Sequence, residues 1–356
     1  MTLLSSFAQN LEPYVPGEQP KQSDIIKLNT NENPYPPSPE VIKAIGGAVN
    51  HDLRKYPDPE SIALRQGMAN YHGLQLDQVF VGNGSDEVLA FAFLALFKQQ
   101  GPIVFPDISY SFYPVYCQFA ETPARTIAVN DDFSIQWADY LAMDENDIGG
   151  IIFPNPNAPT GLASTLKDIE ALLSAFPNTP IIVDEAYIAF GADSAVKLID
   201  RYSNLMVVQT LSKSHSLAGL RVGFAMAQAS LIDGLIRVKN SFNSYPLDRL
   251  AQAGALAAIG DKAYYDHTAN MIINTRQRTL DALESMGFFC LDSKANFIFA
   301  KHNELSGADI KQRLGEHNIL VRHFNKPRVD EYCRITIGTD EEMDALIRVL
   351  QEHVLG

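Results

Sequence analysis

Apolar, β-branched runs recur through the middle of the chain at 79–81, 103–105, 126–129, 151–153, 181–183, 206–209 and 222–225, with helical patterns between them. This alternation predicts parallel βαβ units forming one sheet with helices on both faces. After about residue 227 the rhythm changes to a mostly helical stretch, roughly 230 to 286. Then come a strand at 297–300, a helix at 307–316, strands at 319–322 and 334–337, and a helix at 341–353. That second pattern reads as a smaller α/β domain. The first 27 residues hold Pro13, Pro16, Gly17 and Pro20, show no periodicity and read as an extended arm. The expected division is an arm at 1–27, a large domain at 28–245 and a small C-terminal domain at 246–356.

Length agrees, since 356 residues suggest about two domains. The longest unbroken apolar run, 88–97, is ten residues against the roughly 20 that span a bilayer, so it reads as a core helix. With 28 basic against 42 acidic residues, a net charge of −14 gives no footprint for nucleic acid or an anionic membrane. The N-terminus has no basic segment ahead of an apolar stretch, which points to the cytoplasm. Cys117, Cys290 and Cys333 are far apart and form no CxxC, which argues for reduced thiols and no metal site.

In an open parallel sheet, ligands bind beyond the carboxyl ends of the strands. Polar residues crowd there: Gly82 to Asp86 after the first run, Pro154 to Asn157 after the fourth, Asp184 to Tyr187 after the fifth and Thr210 to Lys213 after the sixth. A carboxylate such as Asp184 at the tip of the apolar strand PIIVD needs a cationic partner. Asp184 and Lys213 at neighbouring strand ends suit a pyridoxal 5'-phosphate site. There a lysine forms a Schiff base with the aldehyde, and an aspartate keeps the pyridine nitrogen protonated. Backbone N–H groups of GNGSD at a helix start, with Ser212 and Arg221, would form the cup for the phosphate.

With these elements in place, the chain resembles the fold-type I pyridoxal-phosphate-dependent aminotransferases, class-II subfamily, and within them the histidinol-phosphate aminotransferases. The likeness rests on LNTNENPYPPSP at 28–39, RKYPDPES at 54–61, GNGSDE at 82–87, FPNPNAPTG at 153–161, VDEAYIAF at 183–190, TLSKSHSLAGLRVG at 210–223, SFNSYPLDRLAQ at 241–252 and CRITIGT at 333–339. It implies an α/β fold with a large domain of seven mainly parallel strands between helices and a smaller α/β domain. It also implies that Lys213 is the aldimine lysine, Asp184 the partner of the ring nitrogen and Tyr187 a donor to the ring hydroxyl. Tyr110 would stack on the ring, and Ser85, Asp86, Thr210, Ser212 and Arg221 would surround the phosphate. Tyr56 would reach the phosphate of a neighbouring subunit, making a homodimer. Arg334 would hold the substrate carboxylate, with Arg322, Tyr14 and Asn243 at the distal end.

One departure is visible. Related enzymes read Asn-Pro-Thr-Gly where this chain has Ala158 before Pro159, so Asn157 would have to take over the bond to the cofactor, or Tyr187 carry it alone. The implied reaction moves an amino group from a small-molecule donor, histidinol phosphate, to a 2-oxo acid, 2-oxoglutarate, in histidine biosynthesis. An aromatic or broad-specificity aminotransferase and a phosphothreonine-type decarboxylase share fold and cofactor. A nicotinamide dehydrogenase lacks its GxGxxG here. A non-catalytic pyridoxal-phosphate-binding regulator would need a DNA-binding domain for which there is no spare length.

Overall fold

The computed structural model describes residues 3–14, 17–19 and 24–355. The arm contains a one-turn helix, Ser6–Asn10, because Ser5 accepts a hydrogen bond at its Oγ from the Ala8 amide (3.2 Å). Pro16 and Pro20 lie outside the described residues. The arm ends in a strand, β1 (Ile26–Leu28), rather than in unpaired chain.

The large sheet holds β2 (Val79–Asn83), β3 (Ile103–Pro106), β4 (Ala124–Ile127), β5 (Gly150–Pro154), β6 (Ile181–Asp184), β7 (Leu205–Thr210) and β8 (Val222–Ala227), in the spatial order β2-β8-β7-β6-β5-β3-β4. Strands β3, β5, β6 and β7 are buried throughout, the pattern of parallel strands covered on both faces. Strand β8 departs from the expected uniform βαβ pattern: it runs antiparallel to both β7 and β2. The 11 residues between β7 and β8 contain no full crossover helix, so the chain turns back at the same end of the sheet.

The small sheet is β1-β11-β12-β10-β9, built from β9 (Phe288–Cys290), β10 (Phe297–His302), β11 (Ile319–His323) and β12 (Cys333–Thr336). Strand β1 pairs parallel with β11 at its edge. The residues that follow the expected boundary at 246 still belong to the large core, where Ala251, Ala255, Ala258 and Tyr265 pack. The handover falls inside the helix Lys262–Ser285, whose Ile272, Leu280 and Leu283 pack in the small core. Among the described residues no helix is long and apolar enough to cross a membrane, and no group of three or more His, Cys, Asp or Glu could hold a metal ion.

Candidate active site

Two cross-strand registers assemble the site. Thr210 of β7 and Asn83 of β2 lie opposite Gly223 and Val222 of β8, which brings the end of β2, the Lys213 turn and Arg221 to one edge. On the other side, β6 ends at Asp184, flanked by Pro154 of β5 and Val208 of β7. Side chains from all these strand ends, the 29–31 segment and the arm line a cavity of about 270 Å3.

Asp184 is buried. Its Oδ2 accepts from the Tyr113 hydroxyl (3.0 Å), while Oδ1 has no hydrogen-bond partner. Burial pushes this carboxyl up to about 6, against the opposing effect of the Tyr113 bond. Glu185 is spent on structure: it accepts from Ser194 Oγ (2.6 Å), the Ala195 amide (2.6 Å) and Gln209 Nε2 (2.8 Å).

Lys213 sits in the short helix Leu211–Ser214, and its Nζ donates to the Thr30 carbonyl (3.1 Å). Burial, then the nearby Arg334 and Arg221, lower its amine to about 8, while Glu32 and Asp86 pull the other way. Relative to an amine at 10.5, the neutral fraction at pH 7 rises about 300-fold. Asn33 Nδ2 donates to the Lys213 carbonyl (2.9 Å) and fixes the turn.

Beside the lysine, the helix Gly84–Ala92 presents its N-terminus. Gly84 has φ +82°, and a Cβ there would come within 2.5 Å of Arg221 Nη2. A Cβ at Gly223 would meet the Ser85 amide at 2.2 Å, so backbone and guanidinium approach as closely as they do only because both positions are glycine. Ser85, Thr210, Ser212 and Arg221 all line the cavity. The Thr210 hydroxyl lies 2.9 Å from Ser212 Oγ and caps the turn by accepting from the Ser212 amide (3.1 Å). The Asp86 carboxylate is engaged by Arg221 (2.9 Å), Tyr110 (3.1 Å) and Tyr116 (3.4 Å). An anion in this cup would meet the Asp86 backbone, not its carboxylate.

Tyr110 and Tyr187 both line the cavity. The Tyr187 hydroxyl accepts from Asn31 Nδ2 (2.9 Å), and burial makes it a weaker acid than an ordinary phenol, with Arg334 acting in the opposite sense. Asn31, buried and at φ +55°, is a cavity residue that sequence reasoning did not single out. Its only signal was the dense polar run NTNEN between two apolar segments.

Arg322 and Arg334 face each other directly across β11 and β12. Both line the cavity and stand over the Phe324 ring, 5.6 and 5.5 Å from its centroid. Like charges directly opposite in a sheet are destabilising. Among the described residues neither guanidinium has a carboxylate partner; Arg334 donates to the Asn29 carbonyl (3.1 Å), and its buried Nε is unpaired. The pair therefore places two positive charges without carboxylate partners among the described residues on the cavity wall. Tyr14 of the arm closes over the same side, against Phe112 (5.0 Å).

Two expected residues, Asn157 and Asn243, do not line this cavity, and Tyr56, expected to serve a neighbouring subunit, lies away from it. The Asn157 amide donates to the Ile108 carbonyl (2.9 Å) in the segment after β3 and to Thr160 Oγ1 (3.1 Å) in its own loop, and Ala158 lines the cavity instead. A shift of Asn157 into the role of the missing asparagine does not occur here. Tyr56 is 78% exposed, stacked on Tyr245 (4.6 Å) away from this chain's cavity. Asn243 is also exposed, accepting from the Tyr245 amide (3.1 Å).

The residues present fit pyridoxal phosphate. Asp184 Oδ1, without a hydrogen-bond partner among the described residues, suits a protonated ring nitrogen, the glycine-lined helix N-terminus with Arg221 suits a phosphate, and Lys213 lines the same cavity as both and as the arginine pair.

Comparisons with known proteins agree. The model of the family described as aminotransferase class I and II matches residues 23–350. Histidinol-phosphate aminotransferase 1 of Bordetella parapertussis is 57% identical over 348 residues, covering 98% of each chain. Histidinol-phosphate aminotransferase of Acinetobacter baumannii is 51% identical over 358 residues, covering 100% of this chain and 98% of that one. The crystal structure of histidinol-phosphate aminotransferase from Sinorhizobium meliloti in complex with pyridoxal-5'-phosphate superposes with a TM-score of 0.88 at 25% identity, covering 99% of this chain and 97% of that one.

Proposed function

The chain belongs to the aminotransferase class I and II family, and we propose that within it this pyridoxal-phosphate-dependent enzyme transfers the amino group of histidinol phosphate to 2-oxoglutarate. The observation that carries the substrate assignment is the pair of arginines, Arg322 and Arg334, facing one another across a strand pair without carboxylate partners. A ligand with one monovalent anionic group would leave one of them uncompensated. Glutamate and 2-oxoglutarate bring two carboxylates, and histidinol phosphate brings one phosphate with a charge of about −2, which two guanidiniums can share. The named activity of relatives at 51–57% identity over nearly the whole chain supports the same choice. We place the enzyme in the cytoplasm as a homodimer, a reading supported by its unpaired cysteines and by the exposed stack of Tyr56 on Tyr245.

Pyridoxal phosphate, when bound, supplies an aldehyde that condenses with amines and a ring that accepts electron density from the substrate Cα. Asp184 would hold the proton on its ring nitrogen, Tyr110 would cover a ring face, and Tyr187, fixed by Asn31, would reach the ring hydroxyl. The backbone at Ser85 and Asp86, the Ser212 hydroxyl and Arg221 would hold the phosphate. Lys213, its amine lowered to about 8, removes the proton from the substrate Cα and returns it on the other side of the transfer. The Thr30 carbonyl gives the charged amine a resting partner when it carries that proton. Arg322 and Arg334 would orient the substrate by its anionic groups, the single phosphate of one donor or the two carboxylates of the other, converting binding at the periphery into alignment at Cα.

Arg322→Ala tests the substrate assignment. A charge-assisted hydrogen bond to a substrate phosphate contributes about 1.5–3 kcal/mol, so kcat/KM for histidinol phosphate should fall about tenfold to hundredfold. Histidinol and phenylalanine should be little affected, and glutamate intermediate. Equal losses on all four donors would transfer the assignment to a broad aromatic aminotransferase.

Subunit mixing tests the dimer. Tyr56→Ala and Lys213→Ala proteins, each impaired alone, should regain activity when mixed, because one site of each hybrid then has both residues intact. An active monomer in sedimentation would refute this.

A further inference from the structure

The loop between β11 and β12 joins the two strands that carry Arg322 and Arg334, and at its centre stands Arg328 with a left-handed backbone (φ +72°). Its guanidinium leaves the small sheet's side altogether. It donates to Asp107 Oδ2 (3.3 Å) and to the carbonyls of Val129 (3.0 Å) and Asn130 (2.8 Å), and it lies over the Phe133 ring at 5.7 Å. Asp107 is itself fixed on the large domain, because its Oδ1 accepts from the amides of Ile108 and Val129 (2.9 Å each). Between this contact and the cofactor site lies a second cavity of about 320 Å3, which shares Tyr110, Ala158, Arg322 and Arg334 with the first and has Asp107 and Arg328 in its wall.

We infer that Arg328 is a positioning residue that straps the loop across the distal half of the substrate pocket and sets the distance between the arginine pair and the Lys213 side. This deepens the proposed function and rests on it, since the ligand concerned is the phosphorylated end of the amino donor. Lys213 belongs to the large domain, whereas both arginines belong to the small sheet, so the spacing between the two decides whether a phosphorylated donor fits with its Cα at the lysine. A part-exposed ion pair contributes little to stability, but a rigid fork meeting three acceptors fixes geometry. The domain contact does not depend on it: Ile108, Val129, Phe133, Phe299 and Tyr332 form an apolar cluster there.

The test compares holoenzyme of wild type, Arg328→Ala, Arg328→Lys and Asp107→Asn with histidinol phosphate and with histidinol at saturating 2-oxoglutarate. In Arg328→Ala, KM for histidinol phosphate should rise about tenfold with kcat within about twofold, and histidinol should change less than about twofold. Arg328→Lys and Asp107→Asn should fall between, and Asp107→Asn keeps the test open if the alanine variant folds poorly. Hydrogen exchange in 324–330 should quicken in Arg328→Ala without substrate present. Unchanged KM, equal losses on both donors, or unchanged exchange would overturn the strap. Wild-type discrimination between the two donors judges the substrate assignment separately, because the strap is read only from ratios of variant to wild type.

Discussion

Lys213→Ala is expected to lower kcat by about 10⁴-fold, the upper end of what a positioned acid–base group contributes, while the protein still folds and takes up cofactor. No neighbouring group can substitute. Arg334 and Arg221, the cations nearest in effect, do not release a proton at working pH. Lys213→Arg should therefore be as inactive as the alanine variant although it keeps the charge. The direct readout is borohydride reduction followed by peptide mapping: wild type should retain cofactor mass on the peptide containing Lys213, and both variants should retain none. The same lysine predicts a stability signature without cofactor. Burial lowers its amine to about 8 in the fold against an ordinary 10.5, so between these pH values the unfolded chain binds more protons, and stability rises with pH across that window. Lys213→Ala should lack this rise. Near-wild-type transamination by either variant would remove Lys213 from the mechanism.

Strands β2, β3 and β5 to β8 were legible because a strand buried on both faces must be an uninterrupted apolar run, and each such run was short and bounded by polar residues; β4, an edge strand exposed over three of its four residues, lies at 124–127 rather than at the expected 126–129. The direction of β8 was not legible, because a run of buried residues reads the same in either sense; only the missing helix between 210 and 222 hinted at it. Strands β1 and β9 have three residues each, too few for alternation to register, and they form through pairing with partners far away or across a hairpin. The place where packing passes from one core to the other was not legible for a related reason. Helix periodicity shows which face is apolar but not which core that face meets, and Lys262–Ser285 meets two.

At the site, residues whose chemistry demands a partner stood out: a carboxylate ending an apolar strand and a lysine in a polar turn. Asn31 did not, since a neutral amide in a polar run demands nothing, and its importance comes from burial against Tyr187 across the sequence. Asn157 shows the converse. Its position one residue before Ala158 suggested substitution, but each peptide step redirects the side chain, and here it points to the Ile108 carbonyl. The arginine pair needed the register of β11 and β12 to become visible as opposed charges.

Asp184→Asn should lower kcat about 10²–10³-fold, the loss typical when one preorganised electrostatic contact to developing charge is removed. Asparagine matches the shape and can still accept from Tyr113, whereas alanine would also strand that buried hydroxyl, so the asparagine variant isolates charge from packing. Glu185 cannot take over, because its carboxylate is held by Ser194, the Ala195 amide and Gln209. A second measurement separates electronic from structural effects. In the cofactor-free protein, burial pushes Asp184 up to about 6 against an ordinary 3.8, so the native state binds more protons between them and stability falls as pH rises through that window. Burial imposes this penalty, and a protonated ring nitrogen facing Oδ1 would relieve it. Cofactor should therefore stabilise wild type more at pH 7 than at pH 4, and Asp184→Asn should lose that difference. A variant that keeps kcat within about tenfold of wild type, or keeps the pH-dependent stabilisation by cofactor, would show that the ring nitrogen is held by some other group.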